Sequence, residues 1–81
     1  MDTTEIERLV RTYEHTLYRP AAAMLGDAHE AEDVVQEAFL AWLERPPTCP
    51  DGARERAWLL KVTVNACKGR LRAPWRQRTA P

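Results

Sequence analysis

The sequence predicts an all-α fold, a small bundle of three long helices. In three separate segments, apolar residues recur every three or four positions, as on one face of a helix. Glycine or proline lies between the segments, and no stretch has the alternation of a strand. Because 81 residues can bury only a small core, nearly every apolar residue is needed for it. We expect one domain over residues 1–73, followed by an interdomain linker or disordered tail over residues 74–81.

The first segment has the T-x-x-E pattern of a capping box at Thr4 and Glu7. Pro20 lacks a backbone donor and crowds the preceding turn, which predicts a kink or a break near that residue. Gly26 is placed to end the helix. The predicted core stripe of this helix consists of Ile6, Leu9, Val10, Tyr13, Leu17, Ala21, Met24 and Leu25.

The second segment begins with Asp27 as a predicted N-cap and ends before Pro46 and Pro47. Its core stripe is predicted to be Ala31, Val34, Val35, Ala38 and Trp42. The opposite side, which we call the acidic face, consists of Asp33, Gln36, Glu37, Leu40 and Glu44. This face is either a solvated surface or a contact patch. An apolar residue framed by acids favours the contact patch, because such acids can orient a basic partner.

The third segment is predicted to be helical over residues 53–72, after a proline-rich loop over residues 45–52. Its buried stripe is predicted to be Ala57, Leu60, Val64, Cys67 and Leu71. A second side, which we call the basic face, carries Arg54, Trp58, Lys61, Val62, Asn65, Gly69 and Arg72. It combines cations for phosphates, an amide able to read a base edge and an aromatic ring able to stack. Alternatively, Trp58 is a core residue and the cations are a solvated face.

The charge of the chain is divided between its two parts. Residues 1–52 have a formal charge of about −7 and residues 53–81 of about +7, so that the total is zero. A basic segment in a small neutral protein indicates binding to a polyanion, most often nucleic acid. The acidic part indicates either a basic partner or simple solvation.

Other classes of function find little support in the sequence. It shows no nucleophile–base arrangement, glycine-rich phosphate loop or confined carboxylate pair, so we predict no enzymatic activity, cofactor or small-molecule substrate. His29, Glu32 and Asp33 are close in sequence, but a metal site needs three or four converging ligands and the sequence shows no such cluster. Cys49 and Cys67 fit a reducing cytoplasm, with Cys67 in the core. No apolar run is long enough for a membrane span.

Two blocks of sequence resemble region 2 of bacterial extracytoplasmic-function (ECF) sigma factors, in the sigma-70 family. Residues 25–42, LGDAHEAEDVVQEAFLAW, are similar to the family pattern L-G-D-x-x-x-A-E-D-x-V-Q-E-x-F-x-x-x-W, except that Trp42 comes one position before the tryptophan of the pattern. Residues 56–67, RAWLLKVTVNAC, are similar to R-x-W-L-x-x-[IV]-x-x-N. The blocks occur in the family's order, and the resemblance covers about residues 13–72.

The resemblance implies a transcription initiation module with two partners. It assigns Asp33, Gln36, Glu37 and Leu40 to the coiled coil of the RNA polymerase β′ subunit. It assigns the third predicted helix, which carries the basic face, to the promoter −10 element and its melted non-template strand. The implied DNA-binding residues are Arg54, Trp58, Lys61, Val62 and Asn65, with Lys68, Arg70 and Arg72 on phosphates. Residues 45–53 correspond to the loop that receives a flipped-out base.

A second hypothesis is a protein-interaction module that binds polymerase or an anti-sigma protein without opening DNA. A third is a helical bundle that binds nucleic acid generically. Region 4 of the family, which reads the −35 element, has no counterpart in this chain. The chain is either the excised first domain of a longer protein, which we favour, or a natural fragment. The resemblance further implies a cytoplasmic location and an anti-sigma factor as an additional partner.

Overall fold

The computed structural model describes residues 3–74, which form three α-helices. They are α1 (Thr3–Leu25), α2 (Ala28–Glu44) and α3 (Gly52–Leu71), and each helix packs against the other two. Residues 3–74 contain no strand, so the predicted all-α fold is confirmed. None of the helices in this part of the chain is long and apolar enough to cross a membrane. Of the predicted linker or tail, residues 75–81 lie outside the described residues.

Helix α1 passes through Pro20 without interruption, so of the predicted kink or break the break does not occur, and the kink stays a prediction. Proline removes one backbone hydrogen bond, to the carbonyl four residues earlier. Leu17, Ala21 and Leu25 are buried on either side of Pro20 and hold both halves of the helix against the core. Packing of one face contributes most of the stability of a helix in a protein, and here it outweighs the missing bond.

The helix ends largely follow the predicted signals. Gly26 has φ of +66°, a left-handed conformation that ends α1 at little steric cost, and its N–H donates to the Ala22 carbonyl at 2.8 Å. Asp27 caps α2, its Oδ1 accepting from the Glu30 N–H at 2.9 Å. Asp51 caps α3 in the same way through the Arg54 N–H, at 2.8 Å. Thr4 lies inside α1 and is not its N-cap, because the helix already includes Thr3.

The core consists of two clusters of buried residues along the bundle. All five residues predicted for the α2 stripe are buried, and Phe39 joins them. The larger cluster contains Leu9, Tyr13, Leu17, Val35, Ala38, Phe39, Trp42 and Leu59. The smaller cluster contains Ala21, Leu25, Ala31, Val34 and Cys67. Cys67 is therefore a core residue, as expected.

The predicted buried stripe of α3 is wrong by about a quarter turn of the helix. The buried residues are Leu59, Thr63 and Cys67, whereas Ala57 and Leu71 are exposed and Leu60 and Val64 are half-buried. Apolar residues surround most of this helix, so their spacing does not select one face. Thr63 is fully buried because its hydroxyl donates to the Leu59 carbonyl at 2.8 Å, which satisfies the polar group inside the helix.

Candidate functional site: two exposed faces joined through the bundle

The acidic face is an exposed surface of α2, opposite the residues that α2 buries. Asp33, Gln36, Glu37, Leu40 and Glu44 are all exposed. Leu40 is the most exposed large apolar side chain among the described residues, at 54%. An exposed leucine between carboxylates gives this face an apolar centre with an anionic rim, which fits a protein contact.

Leu43 is a further exposed apolar residue of this surface, and sequence reasoning did not single it out. Its side chain is 42% exposed. It lies one turn beyond Leu40 on α2, so the two leucines are neighbours on the helix surface. The sequence does carry a signal for it, because Leu43 follows Leu40 by three residues. Leu43 enlarges the apolar centre toward the end of α2.

An open groove of about 380 Å³ runs beside the acidic face, between α1 and α2. Its lining consists of Glu14, His15, Tyr18, Glu32, Val35 and Gln36. The groove extends the acidic character of α2 onto α1. Within residues 3–74, no group of three or more histidine, cysteine or carboxylate side chains could hold a metal ion.

The basic face of α3 is exposed at its polar positions and half-buried at its apolar ones. Arg54, Lys61, Asn65, Lys68 and Arg72 are exposed. Trp58 and Val62 are half-buried and pack against the larger core cluster. The face thus presents cations and one amide on a helix that its apolar residues fix to the core.

Trp58 has a clear structural role. Its ring packs edge-on against that of Trp42, with 5.3 Å between the ring centroids and perpendicular planes. Such a pair contributes about 0.5–1.5 kcal/mol beyond the burial of its area. Because Trp58 remains half-buried, part of its surface is still available to a ligand. Trp42 is buried, and its indole N–H has no hydrogen-bond partner among residues 3–74.

Arg70 does not point freely into solvent, because it joins α3 to the edge of the acidic face. Its Nη2 donates to Glu37 Oε1 at 2.7 Å, and its Nη1 lies 3.8 Å from Glu30 Oε1. The hydrogen bond with Glu37 raises the pKa of Arg70 above its ordinary value. Two residues that the resemblance assigned to different partners, DNA and polymerase, are therefore in contact with each other. The phosphate-binding role of Arg70 stays a prediction.

The loop between α2 and α3 comprises residues 45–51, one residue shorter than expected because Gly52 already belongs to α3. The Arg45 N–H donates to the Ala41 carbonyl at the end of α2, at 3.0 Å. Cys49 is half-buried and packs against the larger core cluster. Both ends and the middle of the loop are thus attached to the bundle.

A second polar connection, between α1 and the start of α3, was not foreseen from the sequence. Tyr13 Oη donates to Glu55 Oε1 at 2.9 Å, and Arg8 Nη2 donates to Glu55 Oε2 at 2.8 Å and to Glu5 Oε1 at 2.6 Å. The hydrogen bond from Arg8 lowers the pKa of Glu55, whereas burial raises the pKa of Tyr13. The 47 residues between Arg8 and Glu55 explain why no local pattern revealed it.

Comparison with known proteins identifies a family and several relatives. The family Sigma-70 region 2 matches residues 9–77. The ECF RNA polymerase sigma factor SigL of Mycobacterium tuberculosis (strain ATCC 25618 / H37Rv) is 48% identical over 50 residues, which are 60% of this chain and 28% of that protein. SigW of Bacillus subtilis (strain 168), also an ECF RNA polymerase sigma factor, is 31% identical over 64 residues, 79% of this chain and 34% of that protein.

A third relative matches nearly the whole chain. The ECF RNA polymerase sigma factor SigM of Mycobacterium tuberculosis (strain ATCC 25618 / H37Rv) is 30% identical over 80 residues, 99% of this chain and 41% of that protein. The chain thus spans between about a quarter and two fifths of the length of these relatives. No solved structure matches it. The family match covers most of the chain and includes both faces and the loop, so this chain belongs to the sigma-70 region 2 family, in the ECF group of sigma factors.

Proposed function

We propose that this chain is a transcription initiation module that binds core RNA polymerase and recognises and helps to open the promoter −10 element. The observation that carries the proposal is the pair of exposed faces of opposite charge on adjacent helices of one bundle. One face suits a basic protein partner, and the other suits a nucleic acid. Neither face needs covalent chemistry, because catalysis belongs to the polymerase.

The acidic face is the proposed polymerase contact, with the coiled coil of β′ as its partner. Carboxylates around an apolar centre can pair with cations of a partner helix while Leu40 and Leu43 are buried against it. Rim charges of this kind contribute more to orientation and association rate than to affinity. We therefore expect binding to weaken and to slow as salt increases.

The test is binding of a purified β′ coiled-coil fragment to the wild-type chain and to the triple variant Asp33→Ala/Gln36→Ala/Glu37→Ala. The expected result is loss of binding in the triple variant. As a control, Glu7→Ala removes a negative charge from an exposed position of α1 that does not line the groove, and it should bind nearly as the wild type does. Equal binding by all three proteins would remove the polymerase assignment.

The basic face and residues 45–51 are the proposed DNA contact. Exposed cations along α3 suit phosphates, and Asn65 carries an amide that can pair with a base edge. The exposed part of Trp58 can stack on a base. Unstacking a base from the duplex costs a few kcal/mol. Stacking on Trp58 and contacts of the base with the loop residues offset that cost.

The DNA role is tested with single-stranded oligonucleotides selected from a randomised library by the complex of this chain with core polymerase. Asn65→Ala should change the base preferred at one position. Arg72→Ala should instead weaken binding to every sequence and reduce the slope of log K against log salt by about one. If the two variants had the same effect on all sequences, the base-reading role of Asn65 would be wrong.

A second candidate function is a module that binds polymerase or an anti-sigma factor without opening DNA. It is favoured by one observation: three residues assigned to DNA are engaged within the bundle, because Arg70 pairs with Glu37 and Trp58 and Val62 pack on the core. The discriminating result is the oligonucleotide selection itself. Enrichment of a sequence supports the initiation module, whereas polymerase binding with no sequence enrichment supports the second candidate.

A further inference from the structure

Three side chains from α1 and α3 form a polar cluster beside the end of the loop over residues 45–51. Tyr13 Oη lies 2.9 Å from Glu55 Oε1 and 3.2 Å from the carbonyl oxygen of Gly52. Arg8 also donates to Glu55, to Oε2 at 2.8 Å and to Oε1 at 3.4 Å. We call Arg8, Tyr13 and Glu55 the α1–α3 clamp. Arg8 is exposed, whereas Tyr13 is buried and Glu55 half-buried.

The clamp holds the residue that directly follows the loop. Gly52 is the first residue of α3, and Tyr13 contacts its carbonyl. Just before it, Asp51 is fixed by its cap to Arg54, and Cys49 packs on the cluster that contains Tyr13. Three successive attachments therefore define where the loop ends and the basic helix begins.

The chemistry of the clamp suits positioning rather than binding. The Glu55 carboxylate already accepts hydrogen bonds from Arg8 and Tyr13. Each of the three groups therefore has a partner within the clamp, and a ligand would have to compete with that partner. Its negative charge lies in the first turn of α3, where it also favours the helix dipole. A loop that is held in its binding shape loses less entropy when a ligand enters it.

We propose that Tyr13, held by Glu55 and Arg8, is a positioning residue for residues 45–51 and sets how well that loop accepts an unpaired DNA base. This inference rests on the proposed function and deepens it. Tyr13 does not touch the base. It acts through Gly52 and Asp51, by fixing the end of the loop relative to α1.

The test compares Tyr13→Phe with a matched control, Tyr18→Phe, in complex with core polymerase. Each variant loses one hydroxyl group from α1. Within residues 3–74 the single proton of the Tyr13 hydroxyl has two acceptors within reach, the Glu55 carboxylate and the Gly52 carbonyl, whereas no partner is found for the hydroxyl of Tyr18. The probe is the selected single-stranded oligonucleotide, either intact or with an abasic site at each position in turn. The quantity measured is the ratio of the two dissociation constants, abasic over intact.

For the wild type we expect a ratio of about ten at the position whose base enters the loop. Tyr18→Phe should keep that ratio, and Tyr13→Phe should reduce it to about three or less. A tyrosine with only a structural role would weaken binding to both oligonucleotides equally and leave the ratio unchanged. An unchanged ratio in Tyr13→Phe would therefore overturn the proposal while leaving the proposed function intact.

The measurement on the wild type distinguishes a failure of the inference on Tyr13 from a failure of the proposed function. If no abasic position weakens binding by the wild type, the loop does not receive a base, and that part of the proposed function fails together with the inference. Glu55→Gln provides a second variant, because it keeps the size of the side chain and removes the charge that holds Arg8 and Tyr13. It should reduce the ratio in the same direction, and a ratio equal to that of the wild type would count against the proposal.

Discussion

Gly26 and Gly69 show how differently one residue type can act within a single small domain. Gly26 has a left-handed backbone, which side-chain-bearing residues rarely adopt. Gly69 lies within α3, and a Cβ atom placed on it would meet no atom of the described residues within 4 Å. The first glycine is required by its backbone conformation, whereas the second only adds conformational freedom to the unfolded chain.

We therefore expect Gly69→Ala to raise the free energy of unfolding by about 0.5–1 kcal/mol. Gly26→Ala should lower it, by about 1 kcal/mol or more, because alanine would be strained at a positive φ. Urea denaturation of both variants and the wild type measures the two changes. Destabilisation by Gly69→Ala would show that this position makes a contact absent from the described residues.

At the scale of the element, the three helices differ in how well their sequences specify the buried side. In α1 and α2 one stripe of apolar residues stands out, although Leu40 and Leu43 lie on the exposed side of α2, and the predicted core residues of α2 are all buried. In α3, Leu59 and Leu60 are adjacent and Val62 and Val64 are close by, so apolar spacing fits more than one face. The residue that decides the register is Thr63, a polar residue that can be buried only because it bonds to its own helix.

The register of α3 can be tested by truncating its two adjacent leucines. Leu59 is fully buried, whereas Leu60 is half-buried. Leu59→Ala should lower the free energy of unfolding by about 2–5 kcal/mol. Leu60→Ala should cost clearly less, since it leaves no enclosed cavity. Urea or thermal denaturation measures the loss of stability in each variant. Equal losses would contradict the full burial of Leu59 beside a half-buried Leu60.

The α1–α3 clamp predicts that Glu55 makes the stability of the folded chain depend on pH in the acid range. The pKa of Glu55 is lowered in the folded state, chiefly by its hydrogen bond from Arg8. Its stabilising contribution is therefore fully present above the ordinary glutamate pKa of about 4.3 and is lost as the pH falls through the lower folded value. Glu55→Gln should lose this part of the pH dependence, measured as the free energy of unfolding between about pH 6 and pH 3.

A control for that measurement is Glu7→Gln, which changes an exposed glutamate for which no partner is found within residues 3–74. Its stability profile should follow that of the wild type. Equal slopes for Glu55→Gln and the wild type would mean that the clamp does not shift the titration of Glu55.

At the scale of the whole molecule, local patterns predicted the exposure of the acidic face apart from Leu43, but not the contacts between the helices. The acidic face was predicted residue by residue, because exposure follows from the position of each residue on one helix. The Arg70–Glu37 contact joins residues 33 apart in the sequence, and the Arg8–Glu55 contact joins residues 47 apart. Contacts of this kind depend on how the three helices pack together. The spacing of residues along a single helix carries no information about that packing.

The Arg70–Glu37 contact predicts coupling between the two proposed partners. A basic partner that pairs with Glu37 would release Arg70 toward phosphates. We expect the β′ fragment to increase the affinity of this chain for the selected oligonucleotide by up to about fivefold, since an exposed ion pair is worth about 0.2–1 kcal/mol. Reciprocity requires DNA to increase affinity for the fragment by the same factor.

The variant Arg70→Gln isolates this coupling. It removes the group that moves between the two partners, so the affinity for DNA should then depend little on the β′ fragment. Arg72→Gln is the matched control: it removes a charge from the same end of α3, and for its exposed side chain no ion pair is found within residues 3–74. It should keep the coupling, and loss of coupling in both variants would contradict the role of Arg70.

The edge-on packing of Trp42 and Trp58 has an optical consequence. Two indole rings at 5.3 Å are close enough for their electronic transitions to couple, which should give the folded chain a paired positive and negative band in circular dichroism. The band should vanish in Trp58→Phe and fade on unfolding. Because Trp58 also lies on the basic face, a DNA base stacked on it would alter the same band. One intrinsic signal would thus register both folding and DNA binding without an attached dye.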